Sequence, residues 1–511
     1  MTSTILRLLS AAMLAVLIPV SARASSSTSD RPLVIAHTMH CYLLGFSPEG
    51  APAGSDPDSV DNWPPHEQDN RTAWASSIAG LNNQGKAGIL HEFEMAHDAG
   101  LDAFALLVGT DHLPRSQFAA GMKCLAEVAQ TDRVKIMPDL WAYKGWDNMS
   151  DEQIRNYGQR VKDFMDAYPD AFLKRDGKWM INMGNAFGWG RGRGYGEWAH
   201  ARHFFDPWAG TNKFYITLNI WFEDPSLLEG GWGNAVDAFG MWTGDLGWGD
   251  QDQRGAYILP NIAKTYGKQV IWPIHTTYYG FRPQSHAMAE NLGVTSFCDL
   301  WRRAITAKMP FVQVQTWNDF SEDHAITDTN LRGRSMLILN RYFADWYHDG
   351  KPPAVSTERV FLFRRRQLAR AALSQATVLA ENLSWRKTPT VDYLNVVTIL
   401  KRPAKITLND GTGKWQIDAP RGLHEWLVYA PSPRTAPGQE HEAYTRADGS
   451  SYPVTTPERT VTSVEAIPSA TPEVSVMRKG ATVLSVRSKM PLLDTARWQD
   501  LSTIGDMAPG K

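Results

Sequence analysis

Residues 311–324 read FVQVQTWNDFSEDH, and in them a strand-like segment passes directly into a cluster of acidic and aromatic residues. Residues 311–315 alternate between apolar and polar side chains, which is the pattern of a half-buried β-strand. If the chain turns after this segment, Asp319 and Glu322 fall on one side, because a spacing of three brings side chains together as on a helical turn. The stretch therefore predicts a strand that ends in two neighbouring carboxyl groups. A solvated acidic loop, or Asp319 acting as a helix cap, explains the same residues equally well.

Seven further apolar segments precede this one, at residues 33–37, 103–108, 134–137, 179–183, 214–218, 235–239 and 270–274. Helical patterns lie between them, including a capping-box pair, Ser150 and Gln153, and an amphipathic segment over residues 336–347 that ends before Gly350. Eight strands that alternate with helices predict a (β/α)8 barrel over residues 31–353. An open doubly wound sheet would need a glycine-rich phosphate-binding turn after an early strand, and neither GxGxxG nor GxxxxGK[ST] occurs there.

The pattern changes after a Pro/Ser-rich linker at residues 351–357. Short strand-like segments and turns then dominate, with little helical pattern beyond about residue 382. This alternation is typical of a β-sandwich. We therefore predict a C-terminal β-sandwich domain over residues 356–500.

Composition narrows the class of protein. The chain has 511 residues, with 52 Lys and Arg against 54 Asp and Glu, and no basic patch stands out, so we expect no nucleic-acid partner. The three cysteines show no CxxC or Cys/His ligand spacing, which argues against a disulfide framework and a zinc site. One disulfide and free buried thiols both stay open. We predict no metal and no cofactor.

The N-terminus has the pattern of an export signal. Arg7 provides a positive start, residues 8–20 are apolar but too few to span a membrane, and residues 22–24 (ARA) fit a cleavage site. We predict a signal peptide over residues 1–24 and a secreted or periplasmic protein after cleavage near Ala24. No later segment has the length and apolar character of a transmembrane helix, so no membrane partner is expected. The oligomeric state stays open.

The predicted strand ends are rich in polar and aromatic residues, and catalytic groups of (β/α)8 barrels lie at the C-terminal ends of the strands. Among the 20 tryptophans, those beside glycine or polar residues are expected to offer flat surfaces to sugars; they are Trp146, Trp189, Trp198, Trp232, Trp242 and Trp248. The candidate substrate-binding residues are His37, Asp139, Trp141, Asn219, Trp221, Asp245, His275, Tyr278, Trp317 and Asn318. A structural, hydrogen-bonded role is the favoured alternative for His37.

Carboxylate chemistry is the simplest interpretation of these residues. Hydrolysis of a glycosidic bond needs two facing carboxyl groups. Asp319 and Asp323 flank Glu322, and this crowding is expected to raise the pKa of Glu322 and favour it as the general acid. A histidine-based metal site is only weakly indicated, and no serine lies in a GxSxG elbow.

Several segments resemble glycoside hydrolase family 71, the α-1,3-glucanases or mutanases. Residues 317–324 (WNDFSEDH) resemble the family signature WNDYGESHY, and residues 99–106 (AGLDAFAL) are similar to its AGIDAFALN segment. Residues 34–39 (VIAHTM) resemble its opening AHFM strand. The resemblance covers roughly residues 33–490. It departs from the family at Phe320 and Ser321, where the signature has Tyr-Gly, and at Asp323, where it has Ser.

The resemblance implies a polysaccharide substrate, with α-1,3-glucan the leading candidate, and an endo-acting, inverting reaction. Its essential acids fall on Asp102, Asp319 and Glu322, the last two as the general base and acid. Asp102 precedes the second predicted strand, and on strand position alone it would lie low in the barrel. Two alternatives remain: a hydrolase of another neutral exopolysaccharide, and a carbohydrate-binding barrel without activity.

Overall fold

Eight parallel strands form a closed barrel in the computed structural model. The structure describes residues 31–39, 86–109, 116–141, 149–185, 198–220, 231–242, 259–282, 285–319, 322–329, 331–374, 381–382, 390–430, 455–496 and 501–508. Its first eleven strands are β1 Leu33–Thr38, β2 Ala103–Gly109, β3 Lys135–Trp141, β4 Lys174–Arg175, β5 Lys178–Asn185, β6 Phe214–Ile220, β7 Ala238–Met241, β8 Gln269–His275, β9 Tyr278–Arg282, β10 Ser285–Ala289 and β11 Phe311–Gln315.

The barrel closes through the order β3-β2-β1-β11-β8-β7-β6-β5, with β5 returning to β3. All these pairings are parallel. The predicted (β/α)8 barrel is confirmed. The sixth predicted strand, residues 235–239, is shifted in the structure, because Trp232–Ala235 forms a helical turn and the strand begins only at Ala238.

Helices cover the outside of the barrel: α1 Lys86–Asp98, α2 Ser116–Thr131, α3 Asp151–Ala167, α4 Trp198–Ala201, α5 Trp232–Ala235, α6 Leu259–Thr265, α7 Thr295–Thr306 and α8 Ser335–Asp349, with a 3₁₀ helix at Arg202–Trp208. The predicted capping box is observed: the Ser150 side chain accepts from the Gln153 backbone, and the Gln153 side chain accepts from the Ser150 backbone. The α8 helix ends at Gly350, whose φ of 67° is left-handed, as glycine permits.

Each barrel strand has one face toward the helices and one face toward the barrel interior. Outward residues such as Val34, Phe104 and Leu218 pack under the helices. Inward residues such as Ile35, Met137 and Ile271 form a separate inner core. Because side chains alternate with a period of two, the inward set continues at His37, Asp139 and His275 toward the C-terminal strand ends.

The remaining twelve strands follow the barrel: β12 Arg359–Arg365, β13 Gln367–Leu373, β14 Glu381–Asn382, β15 Asp392–Leu400, β16 Ala404–Asn409, β17 Lys414–Ala419, β18 Gly422–Ala430, β19 Arg459–Ser463, β20 Glu473–Arg478, β21 Ala481–Arg487, β22 Leu493–Ala496 and β23 Thr503–Met507. Five of them form a sheet in the order β19-β18-β15-β12-β23, and four form a sheet in the order β17-β16-β20-β21. Both sheets contribute to one apolar cluster, for example through Val396 and Val476. This arrangement favours the β-sandwich, which stays a prediction.

Buried ionic contacts join the barrel to the C-terminal strands. Arg459, at the start of β19, donates to Glu425 of β18 (2.9 Å) and to Asp299 of α7 (2.6 Å). Arg365 of β12 pairs with Glu290, which directly follows β10.

Of the cysteines, Cys124 and Cys298 are free thiols. Within the described residues, no helix combines the length and apolar character needed to span a membrane.

Candidate active site

A layer of buried polar side chains fills the C-terminal end of the barrel. It replaces the apolar inner core on six different strands, so the mouth of the barrel has a polar floor. Its members are His37 of β1, Asp139 of β3, Asn182 of β5, Thr217 and Asn219 of β6, His275 of β8 and Gln315 of β11. The predicted residues His37, Asp139, Asn219 and His275 are therefore brought together.

One half of this floor is a chain of hydrogen bonds. His37 Nδ1 lies 3.0 Å from Asp139 Oδ2, and Asn182 Nδ2 donates to Asp139 Oδ1 over 2.8 Å. Thr217 Oγ1 donates in turn to Asn182 Oδ1, also over 2.8 Å. Both oxygens of Asp139 are thus engaged inside the protein, and its direct effect is to orient the His37 ring.

The other half of the floor is a pair of histidines. His275 Nδ1 and His324 Nε2 share a hydrogen bond, with the ring centroids 4.3 Å apart. Burial lowers the pKa of His275 to about 3. Burial, together with nearby His275, His37 and Arg332, holds the pKa of His324 well below its usual value. Both rings are therefore uncharged at neutral pH.

His324 was not among the predicted site residues, although it ends the acidic segment that follows β11. Its ring meets the edges of Trp242 (6.4 Å) and Tyr278 (5.6 Å), so it lies at the mouth beside β7 and β8. Among the described residues, His324 Nδ1 and both amide atoms of Asn219 are buried without a hydrogen-bond partner. Buried polar atoms of this kind are costly unless a ligand or water satisfies them, so these groups are suited to bind a polar ligand.

The segment after β11 forms a tight loop, as predicted. The Thr316 backbone N–H donates to the His324 carbonyl (2.8 Å), and the His324 N–H donates to the Asp319 carbonyl (3.1 Å). Asp319 is 5% exposed, and Glu322 is partly exposed on the same loop. The loop thus carries both predicted carboxyl groups next to the histidine pair.

Asp323 does not add a free charge beside Glu322, contrary to the expectation from sequence. Its carboxylate is buried in an ion pair with Arg332. Arg332 compensates the charge of Asp323, so the predicted crowding of Glu322 by a free Asp323 carboxylate is not observed.

Trp317 and Asn318, which the sequence predicts to bind substrate, both make contacts within the protein. The Trp317 ring is fully buried on the outer side of the barrel, 5.4 Å from Phe104, and its Nε1–H donates to Glu92 Oε2 over 2.7 Å. Asn318 bonds to the Met39 backbone through both amide atoms, at 2.8 and 3.1 Å.

Asp102 is not brought together with Asp319 and Glu322. It precedes β2 at the N-terminal end of the barrel, about 20 Å of strand from the mouth at about 3.3 Å per residue. Its carboxylate accepts from the Val34 N–H (2.8 Å) and lies 3.2 Å from Arg31 and 3.0 Å from His348. The structure thus separates Asp102 from the other two predicted acids, and its carboxylate ties β1 to the end of α8.

The remaining predicted residues divide into two groups. Tyr278 is partly exposed beside His324, and Trp242 packs edge-on against His37 at 4.6 Å, so both lie at the mouth. Trp198 and Trp232 instead pack into the outer core. Outside the described residues lie Trp221, Asp245, Trp146, Trp189, Trp248 and the Trp141 side chain. Within the described residues, no three His, Cys, Asp or Glu side chains are grouped to hold a metal ion.

Comparison with known proteins finds a matching family and several similar solved structures. The family model described as "Glycosyl hydrolase family 71" matches residues 77–449, more than two thirds of the chain. Among curated proteins, none matches. Similar solved structures include the GH99 endo-α-mannosidase from Bacteroides thetaiotaomicron, with 12% identity, a TM-score of 0.42, and coverage of 63% of this chain and 98% of that one. An endo-β-1,6-glucanase is similar at 12% identity and a TM-score of 0.33, over 77% of this chain and 90% of that one.

The Glu92–Trp317 contact predicts a pH-dependent stability. Burial raises the Glu92 pKa to about 7 from 4.5. Stability that is present below pH 4.5 is therefore lost as pH rises through 7, because the buried group must ionise. Glu92→Gln keeps an acceptor for Trp317 and removes the charge. At pH 8 we expect the variant to gain about 3 kcal/mol of unfolding free energy, at about 1.4 kcal/mol per pKa unit.

Thermal or denaturant unfolding of both proteins at pH 5 and pH 8 measures this effect. The two should be similar at pH 5 and diverge at pH 8. Glu94→Gln is the matched control, since Glu94 lies on the same helix but is exposed. Parallel pH profiles for wild type and Glu92→Gln would contradict the prediction.

Proposed function

The chain belongs to glycoside hydrolase family 71, and from this membership we propose that it is a secreted, endo-acting hydrolase of α-1,3-glucan. Its assignment as a glycosidase follows from the family; the linkage, the mode of cutting and the location are the proposal. The observation that carries it is the tight loop with Asp319 and Glu322 at the end of the last barrel strand, beside a polar floor. The residues with the pattern of a signal peptide, cleaved near Ala24, support secretion or export to the periplasm.

In the proposed mechanism, Glu322 is the general acid and Asp319 the general base. Glu322 is partly exposed, which suits a group that protonates the leaving oxygen and regains its proton from solvent. Asp319 is nearly buried and would take a proton from water as that water attacks the anomeric carbon from the opposite face. The products are a new reducing end of inverted configuration and the released chain.

The floor of the mouth supports an uncharged substrate. His275 and His324 are neutral, and Asn219 offers one amide donor and one acceptor without partners among the described residues. Such groups fit sugar hydroxyls, which both donate and accept hydrogen bonds, better than carboxylate or sulfate groups. Trp242 and Tyr278 add ring surface at the same place.

A second candidate is a hydrolase of another neutral exopolysaccharide. It is favoured by the departures from the family signature at Phe320, Ser321 and Asp323, which alter the loop that carries the acids.

The C-terminal strands are proposed to form a β-sandwich that supports the barrel, since the contacts of Arg459 and Arg365 join the two regions through buried groups.

Loss of either acid should abolish most activity. We expect Asp319→Asn and Glu322→Gln each to lower kcat by about 10²–10⁴-fold, because each removes one proton-transfer partner from the transition state. Reducing-sugar release, with folding checked by circular dichroism, measures the effect. Asp98→Asn is the control, since it removes a surface carboxylate paired with Arg334 on the outside of the barrel. Wild-type rates in both folded acid variants would sink the mechanism.

The linkage is tested by a substrate panel. The purified protein is incubated with α-1,3-glucan and, separately, with α-1,4-, α-1,6- and β-linked glucans. We expect release of oligosaccharides from α-1,3-glucan only. Release from one of the others alone would refute the linkage and support the second candidate, and release from none would favour a carbohydrate-binding barrel without activity.

The stereochemistry of the product is a separate prediction. An inverting enzyme holds its carboxyl groups roughly 6.5–9.5 Å apart so that a water fits between them. We expect the first product from an α-linked substrate to have the β configuration in an NMR time course. An initial α product would show retention and would reassign Asp319 or Glu322 as a nucleophile.

A further inference from the structure

We propose that Asp323 and Arg332 form a latch through which the C-terminal strand β23 holds the acid loop in its active shape. Asp323 and Arg332 would be positioning residues, acting through their neighbours and not by contact with substrate. The inference rests on the proposed function, because it concerns the loop that carries Asp319 and Glu322.

The Asp323 carboxylate links three parts of the chain. One oxygen pairs with Arg332. The other accepts the backbone N–H of Thr503, the first residue of β23, over 2.9 Å, and lies 3.3 Å from the Thr277 hydroxyl. Asp323, Arg332 and Thr503 are all buried. Removing one member of a buried, hydrogen-bonded ion pair strongly destabilises the fold, because the other charge is left buried without its partner. The contact is therefore well suited to hold the loop.

Arg332 extends the same latch. Its guanidinium donates to the Ala325 carbonyl (3.0 Å) and to the Thr277 hydroxyl (3.1 Å), so it holds the chain on the far side of His324. A second backbone bond runs from the Gly505 N–H to the Leu331 carbonyl over 2.9 Å. Strand β23 therefore bonds at two points, Asp323 and Leu331, to the chain between β11 and α8.

The seat of β23 leaves little freedom. A Cβ at Gly505 would come within 2.8 Å of the Phe363 ring and 3.4 Å of the Arg332 side chain. On its other side β23 pairs with β12 through five residues, from Phe361↔Met507 to Arg365↔Thr503. The C-terminal sheet thus fixes the position of β23, and the bond from Thr503 in turn fixes the position of the Asp323 carboxylate.

The backbone explains why the loop needs holding. Asp323 has a φ of 51°, in the left-handed region that L side chains rarely adopt. It lies between Glu322 and His324, so a relaxation of this residue would move both. Displacement of a catalytic group by about 1 Å can cost about 10²-fold in rate.

The test compares two isosteric variants in the full-length protein. Asp323→Asn removes the charge from the latch. Asp299→Asn is the matched control, because it disrupts another ionic contact between the barrel and the C-terminal strands, the partly buried one with Arg459, away from the acid loop. On the glucan that the wild type hydrolyses, we expect Asp323→Asn to lower kcat 10- to 100-fold with KM within threefold. Asp299→Asn should keep kcat within twofold at a comparable loss of thermal stability.

Thr503 provides a second comparison. Its N–H serves the latch, whereas its side chain bonds to Tyr393 at 3.0 Å. Thr503→Pro removes the N–H at the first residue of a strand, where proline is tolerated, and Thr503→Ala removes only the side-chain contact. We expect kcat to fall at least tenfold more in the proline variant. If Asp323→Asn does not fold, Asp323→Asn/Arg332→Gln, which leaves no unpaired buried charge, takes its place.

Amide hydrogen exchange separates this inference from the proposed function. Faster exchange over residues 316–329 in the Asp323 and Thr503→Pro variants, but not in Asp299→Asn, is expected even if the wild type hydrolyses no glucan in the panel. Unchanged exchange and wild-type kcat in a folded Asp323 variant would overturn the latch. Equal loss of kcat in Asp323→Asn and Asp299→Asn at equal stability would reduce it to an ordinary structural contact.

Discussion

Closure of eight parallel strands is the constraint on which the rest of the molecule depends. In a closed barrel every second side chain of each strand points into an interior of fixed size, where water cannot satisfy it. The lower layers meet this constraint with apolar residues such as Ile35 and Ile271. The top layer meets it with polar groups that bond to one another, as in His37, Asp139 and Asn182. The change from apolar to polar filling is what creates a polar floor in place of more core.

The same constraint explains what could be predicted from the sequence. Strand positions follow from apolar runs, and the parity of each strand then assigns His37, Asp139, Asn219 and His275 to the interior. Parity holds only while the strand continues, however. After Gln315 the chain turns, and the Trp317 N–H bonds to the His37 carbonyl while its ring joins the outer core. A rule that treats every residue after a strand as part of the mouth therefore does not anticipate the buried outer position of the Trp317 ring.

Contacts between distant segments are the second reason why prediction fails. Asp323 is compensated by Arg332, and Asp102 by Arg31 and His348, and none of these pairs leaves a local pattern in the sequence. A short motif shows which residues are present but not which of their neighbours neutralise them. The family resemblance shares this limit: it implies a role for Asp102 from a short motif, whereas the contacts of this carboxylate at the N-terminal end of the barrel appear only in the structure.

The distribution of charge at the mouth connects the fold to the proposed chemistry. Asp323 is paired with Arg332, Asp139 is engaged by His37 and Asn182, and the two remaining histidines are uncharged because they are buried. The same loop carries Asp319 and Glu322, the two proposed acids. A transition state with oxocarbenium character develops positive charge at the anomeric carbon, and carboxylates in a partly desolvated site stabilise it more than they would in water. Neutral imidazoles bind hydroxyls without opposing that charge, as a protonated histidine would. The low pKa values of His275 and His324 therefore keep this part of the floor uncharged beside the loop that carries the two proposed acids.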